Sequence, residues 1–333
     1  MQTIKPFYFP TTVTFVDDSA AFLSNLCLQL DPQLAFRLFS SPGEALDFVN
    51  SRPRPGSSDE PLFAPFRDRT DEDVAQQVIA LSVNTVRKQV HNAQRFLATS
   101  VVVVDYDMPG MNGIEFCRRM TDPAVRKIML TGKADEHIAV QSFNEGIIHR
   151  FIRKQDASAV PALNRAVREL QNAYFDDVCQ SILDTLAVSE YAFLRDEALA
   201  ARVAELSGSL GIVEHYLSYC PGGLLMLDSA GKSYLLIVHT NETLRGLREI
   251  AVEQEAPADF LKELDSRRSL PYFWQTEGHY PTDCTAWEDY MHPATRFSGR
   301  QDYVCAVIAN PPGLDLSQVL SYDRYLERLD RDM

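Results

Sequence analysis

The stretch that decides the fold is Ser100 to Gly113, SVVVVDYDMPGMNG. Four consecutive valines, Val101 to Val104, fit a strand buried on both faces, as in a parallel sheet. The run stops at Asp105. The residues Asp107-Met108-Pro109-Gly110-Met111-Asn112-Gly113 then force a loop before the next helix. In open parallel α/β sheets, ligands sit outside the carboxyl ends of the strands. Asp105 is therefore placed for chemistry, as a nucleophilic carboxylate, a metal ligand, or both.

Three other short apolar runs also end in polar residues. Val13-Thr14-Phe15-Val16 leads into the acid pair Asp17 and Asp18, Ile128-Met129-Leu130 ends in Thr131, and Phe151-Ile152-Arg153 ends in Lys154. Clustered carboxylates repel one another and invite a hard divalent cation, Mg²⁺ being the expected one. Such a cation would neutralise an incoming phosphoryl group while Asp105 attacks phosphorus. Thr131 and Lys154 would then hold the remaining phosphoryl oxygens.

The acid pair, the Asp four residues before a Pro, the Thr with a small residue after it and the late Lys occur in the order of the receiver domain of two-component response regulators. The resemblance spans residues 11 to 170. It implies a five-stranded, parallel, doubly wound, flavodoxin-like α/β fold. It also implies that Asp105 is the phosphoacceptor and that Asp17, Asp18, Asp105 and the backbone carbonyl of Asp107 hold Mg²⁺. Thr131 and Phe151 would be the switch pair, Lys154 the phosphoryl contact, and a sensor histidine kinase the partner. The sequence departs from the family at two points. Gln155 follows Lys154 where the family has Pro, and a cis bond before a non-proline costs roughly 3 kcal/mol, so a different turn is expected. The switch aromatic is Phe151 rather than Tyr, so it has no hydroxyl.

The 333 residues, 45% of them hydrophobic, suffice for two packed domains. No window approaches a membrane span, and the N-terminal MQTIKPFYFP has no long apolar segment of the signal-peptide kind. Six scattered cysteines without a CxxC suggest buried thiols in a reduced, cytoplasmic setting. The net charge of −14 argues against a basic, DNA-binding output domain.

The expected organisation is a receiver over 1–158, a helical connector over 159–219 and a smaller α+β output domain over 220–333. Inside the receiver, residues 53–97 form an insertion. Ser51 to Thr70 is rich in Pro, Ser and charge, and Thr70-Asp71-Glu72-Asp73 reads as a helix start. Ile79, Val83, Val86, Val90, Ala93 and Leu97 follow at heptad spacing. Ser82-Val83-Asn84-Thr85 is weak helix sequence and could split the segment into two helices. The insertion is expected to pack on the receiver or to join two copies of the chain. From Val160 the apolar seam continues through Leu163, Val167, Leu170, Tyr174, Val178 and Ile182. That is one helix of roughly 27 residues and about 40 Å, able to carry a dimer contact, or two helices kinked near Asp176. Residues 190–219 read as helical.

In the second half, Leu224–Leu227 and Ser233–Val238 read as a hairpin, followed by helices over 242–253 and 257–267, a strand over 303–309 and a helix over 322–331. The arrangement as a whole is similar to the Lqs-type quorum-sensing response regulator. This half carries no Walker loop, GxGxxG, GxSxG, HExxH or GGDEF-like run. Tyr272, Phe273, Trp274, Tyr280, Trp287 and Tyr290 fit a core better than a ligand pocket. His279, Cys284 and His292 match no metal spacing. The expected function is a phosphorylation-dependent response regulator whose non-enzymatic output acts through protein contacts or dimerisation. The alternative is a receiver that controls an enzyme or a small-molecule-binding domain. Asp107 and Lys133, each two residues past a site residue, are expected to pair and slow hydrolysis.

Overall fold

The computed structural model describes residues 3–56, 62–66, 78–132, 136–187, 189–282 and 284–331. The chain begins with β1 (Phe7–Tyr8), β2 (Val13–Val16), α1 (Ala20–Cys27), β3 (Phe36–Phe39) and α2 (Pro42–Asn50). A hairpin, β4 (Phe63–Phe66) and β5 (Val78–Leu81), leads to α3 (Val83–Lys88). Then come β6 (Val101–Asp105), α4 (Gly113–Arg119), β7 (Arg126–Thr131), α5 (Glu136–Asn144), β8 (Arg150–Arg153) and α6 (Ala159–Leu186). The second half comprises α7 (Glu197–Leu210), β9 (Ile212–Ser218), β10 (Gly223–Asp228), β11 (Ser233–Thr240), α8 (Asn241–Glu253) and α9 (Ala258–Ser266). It ends with β12 (Ser269–Pro271), β13 (Met291–Ser298), β14 (Asp302–Ala309) and α10 (Tyr322–Arg331).

Two compact units result. One holds Pro10–Ser57, Gln94–Val178 and Asp323–Met333. Its sheet is parallel in the order β3-β2-β6-β7-β8, a doubly wound topology whose strand order reverses between β2 and β6. Val101 to Val104 are all at most 1% exposed, as a strand covered on both faces requires. One face packs Val13, Phe15, Val101, Val103, Ile128 and Leu130 against Leu23 and Leu26 of α1 and Leu163, Val167 and Leu170 of α6. Helix starts follow sequence chemistry. Ser19, Ser41 and Asn112 accept hydrogen bonds from the third residue beyond each of them. Tyr325 of α10 hydrogen-bonds Thr12 beside β2 and lies against Phe96, so the C-terminal helix belongs to this unit.

The other unit holds Met1–Phe9, Ser58–Ala93 and Cys179–Tyr322. Its seven-stranded sheet is antiparallel in the order β1-β9-β10-β11-β14-β13-β12. Leu235, Ile237, Val304, Ala306 and Ile308 point to one face and bury Leu244 and Leu247 of α8 and Phe260 and Leu264 of α9.

Several expectations need correction. The insertion is grouped with the antiparallel unit, not with the receiver, and α3 packs against β9. Nor is it a helical seam. Ile79 lies in a strand, and Ser82 breaks the helix by becoming the N-cap of α3, its Oγ accepting from Thr85 N. The expected helix start at Thr70–Asp73 lies outside the described residues. Within 190–219, only α7 and one 3₁₀ turn are helical; Gly211 adopts φ 66° after α7 and the chain continues as β9. The output sheet therefore starts before residue 220 and recruits β1 from the N-terminus. Between one long helix and two, the structure has one: α6 runs 28 residues without interruption, and the boundary between the units falls within it, after Val178.

Candidate functional site

In the parallel unit every strand runs the same way, so all the carboxyl ends share one edge. Val16 pairs with Val104, and one residue further along each chain stand Asp17 and Asp105, at the place where the strand order reverses. Thr131 ends β7 one residue beyond Leu130, the partner of Asp105. Lys154 follows β8, and its backbone N–H donates to Thr131 O at 3.0 Å.

The four strand ends converge. Lys154 Nζ lies 2.6 Å from Asp17 Oδ2 and 2.9 Å from Asp105 Oδ2. Carboxylate oxygens of Asp17, Asp18 and Asp105 all lie within 4.8 Å of one another, with Asp17 and Asp105 buried and Asp18 exposed. The second oxygen of Asp17 accepts from Ser19 N at 2.9 Å, and that of Asp105 from Tyr106 N at 2.9 Å. Burial raises the Asp105 pKa against the pull of Lys154. Burial disfavours the Lys154 charge, but hydrogen bonds to Asp17 and Asp105 outweigh it and its pKa rises. Thr131 is fully buried, and its Oγ1 has no hydrogen-bond partner among the described residues. A buried hydroxyl left unpaired is costly unless something else satisfies it.

The loop after Asp105 is held close. Gly113 N donates to Tyr106 O at 2.9 Å, and a Cβ on Gly113 would stand 2.4 Å from the Asp105 carbonyl oxygen. Only glycine fits there. Asp107 is exposed. Lys133, its expected partner, lies outside the described residues. Phe151 is half-buried in β8. The described residues contain one cis peptide, Cys220–Pro221, so the Lys154–Gln155 bond is trans, and Lys154 still reaches both aspartates.

The donors are hard carboxylate oxygens, which suit Mg²⁺ and not a soft metal. They carry like charge at close range, so Asp17, Asp18 and Asp105 fit a divalent cation. Sequence reasoning missed Phe22, whose ring centroid is 4.7 Å from Lys154 Nζ. Its only signal was an apolar position in the first turn of a helix. In the antiparallel unit, Tyr272, Phe273 and Tyr280 are core, with Trp274, Trp287 and Tyr290 packed against it. Among the described residues His279, Cys284 and His292 do not gather as a ligand set.

The family description "Response regulator receiver domain" matches residues 70–162, which include Asp105, Thr131 and Lys154 but not the acid pair. Over 119 residues the chain is 31% identical to the transcriptional regulatory protein FixJ of Rhizobium meliloti (strain 1021). That segment is 32% of this chain and spans 58% of the relative's length. The chain is also similar to the Legionella pneumophila response regulator LqsR, at 35% identity and a TM-score of 0.78. This match covers 99% of the present chain and 98% of that structure. Among the described residues no helix is long and apolar enough to cross a membrane.

Proposed function

Since the chain belongs to the response-regulator family, we propose that it is switched by phosphorylation of Asp105, with a sensor histidine kinase as the phosphodonor. One observation carries the reading: three aspartates from two strand ends and a lysine from a third meet beside a buried hydroxyl that has no hydrogen-bond partner among the described residues. In the reaction an Asp105 oxygen bonds to phosphorus, and the donor's leaving group departs with the electron pair of the broken bond. Asp17, Asp18, Asp105 and the Asp107 carbonyl would hold Mg²⁺, which when bound supplies charge neutralisation at the phosphoryl oxygens. Lys154 turns from the Asp105 carboxylate to a phosphoryl oxygen. Thr131 moves inward to donate its hydroxyl to another, and Phe151 repacks behind it.

The face changed by this movement is formed by α5, β8 and α6. On α5, Val140 and Phe143 are 40% and 44% exposed, which supports an interaction surface there. The receiver is assigned to residues 10–57, 94–178 and 323–333 and the output domain to residues 1–9, 58–93 and 179–322, in place of the continuous ranges 1–158, 159–219 and 220–333. The output acts by contact with another protein or a second copy of the chain, in the cytoplasm. The unbroken α6 supports the connector role. Incubation with a small-molecule phosphodonor and Mg²⁺ tests the reading. Wild type should take up one acid-stable, base-labile phosphate and Asp105→Ala none. Equal uptake by the two would refute it.

A further inference from the structure

We propose that Phe22 is a positioning residue for Lys154, holding its ammonium where it can pass from the Asp105 carboxylate to the phosphoryl group. The proposal rests on phosphorylation of Asp105 and goes beyond it by naming what aims the lysine. A lysine side chain is a flexible four-carbon stem with a point charge at its tip. Here the tip is bounded by Asp17 at 2.6 Å, Asp105 at 2.9 Å and the Phe22 ring at 4.7 Å. When Asp105 forms an acyl phosphate, one of the two ionic partners is converted and the ammonium must be re-aimed. The ring stays where it is. A ring face attracts a cation without accepting strong directional hydrogen bonds, so it holds the ammonium without competing with phosphoryl oxygens for its N–H groups.

Local sequence places the ring. Asp17 Oδ1 accepts from Ser19 N, and Ser19 Oγ accepts from Phe22 N at 3.2 Å, which fixes the first turn of α1. Asp17 thus binds Lys154 through one oxygen and orients the start of the helix carrying Phe22 through the other. There is something to guard against. Phe22 and Lys154 both line a cavity of about 250 Å³, whose wall also includes Asp156, Asn25 and Gln29. A smaller side chain at position 22 would open that space to the ammonium and offer it water and the Asp156 carboxylate in place of the phosphoryl group.

The test uses the full chain with Mg²⁺ and acetyl phosphate, with Asp105→Asn as the blank. Phe22→Leu keeps the apolar packing of α1 and removes the ring; it should slow phosphate incorporation about fivefold with an unchanged melting temperature. Phe22→Trp restores a ring face and should stay within about twofold of wild type. The Lys154 ε-methylene signal in NMR should sit upfield in wild type and in Phe22→Trp, and return to its ordinary position in Phe22→Leu. A Leu variant as fast as wild type, a Trp variant as slow as Leu, or an ε-methylene signal that ignores the substitution would each overturn the proposal. If wild type takes up no phosphate, the phosphoacceptor reading fails, and that failure is told apart by the NMR signal, which reports the contact itself.

Discussion

Asp105 in the parallel unit and Asp196 in the antiparallel unit are both buried acids, and they could hardly be used more differently. Asp196 caps α7, accepting from Ala198 N and Leu199 N through one oxygen and from Arg300 N and the Tyr303 hydroxyl through the other. Burial pushes its pKa up, but these donors outweigh burial and the pKa falls. Among the described residues Asp105 has one backbone donor and one lysine, and burial leaves its pKa raised. A carboxylate saturated by fixed donors is a structural pin. One that is desolvated, with few donors and beside a lysine ammonium, is suited to chemistry. The sheets explain the difference. Parallel strands bring their carboxyl ends to one edge and concentrate polar groups there. Antiparallel strands alternate direction, so their polar ends are spread over both edges and meet as isolated caps.

The largest effect that could break this contrast is on phosphate uptake. Lys154→Ala should lower the rate by about 100-fold, as loss of a donor to developing charge does, and Asp196→Ala should leave it unchanged; stopped phosphorylation assays check both. The order should reverse for stability. Asp196→Ala strips a buried hydroxyl and three backbone N–H groups of their acceptor and should cost about 3 kcal/mol in chemical denaturation, well above the effect of Lys154→Ala.

Two glycines sharpen the comparison further. A Cβ on Gly113 would meet Asp105 O at 2.4 Å, and one on Gly223 would meet Leu236 O at 1.9 Å. Either Ala variant should lose about 2 kcal/mol of stability. Only Gly113→Ala should also slow phosphorylation, since it displaces the backbone of Asp105, the proposed phosphoacceptor.

The smallest effect at neutral pH comes from three histidines whose pKa burial lowers to about 4: His149 in the parallel unit, and His215 and His239 in the antiparallel one. Their folded pKa values lie below the unfolded value of about 6.5, so the unfolded chain binds more protons between those limits. Their contribution to stability should therefore be constant above pH 7 and fall as pH drops from about 6.5 towards 4. Replacing His215 and His239 together with Gln should flatten that fall for the antiparallel unit, which thermal melts across the pH range would record.

Much of the receiver was legible in sequence because its signals are local. A valine run followed by Asp-Tyr-Asp-Met-Pro-Gly gives a buried strand and a loop. The antiparallel sheet was only half legible. The strand β13 carries Pro293 and has no buried residue, β1 has two residues, and β9 follows one residue after a helix. These pair through partners distant in the chain, and no local pattern announces them. The terminal helix α10 was plain in sequence, but its place beside Thr12 was not.

By itself the sequence determined which residues could do chemistry here, because strand-ending Asp, Thr and Lys recur at spacings a parallel sheet must bring together. Only the tertiary structure decided that Lys154 keeps its reach through a trans bond to Gln155, that Phe22 lies against its ammonium, and that residues 58–93 join the antiparallel unit. These depend on non-local packing, where distances across the fold rather than along the chain set the energy.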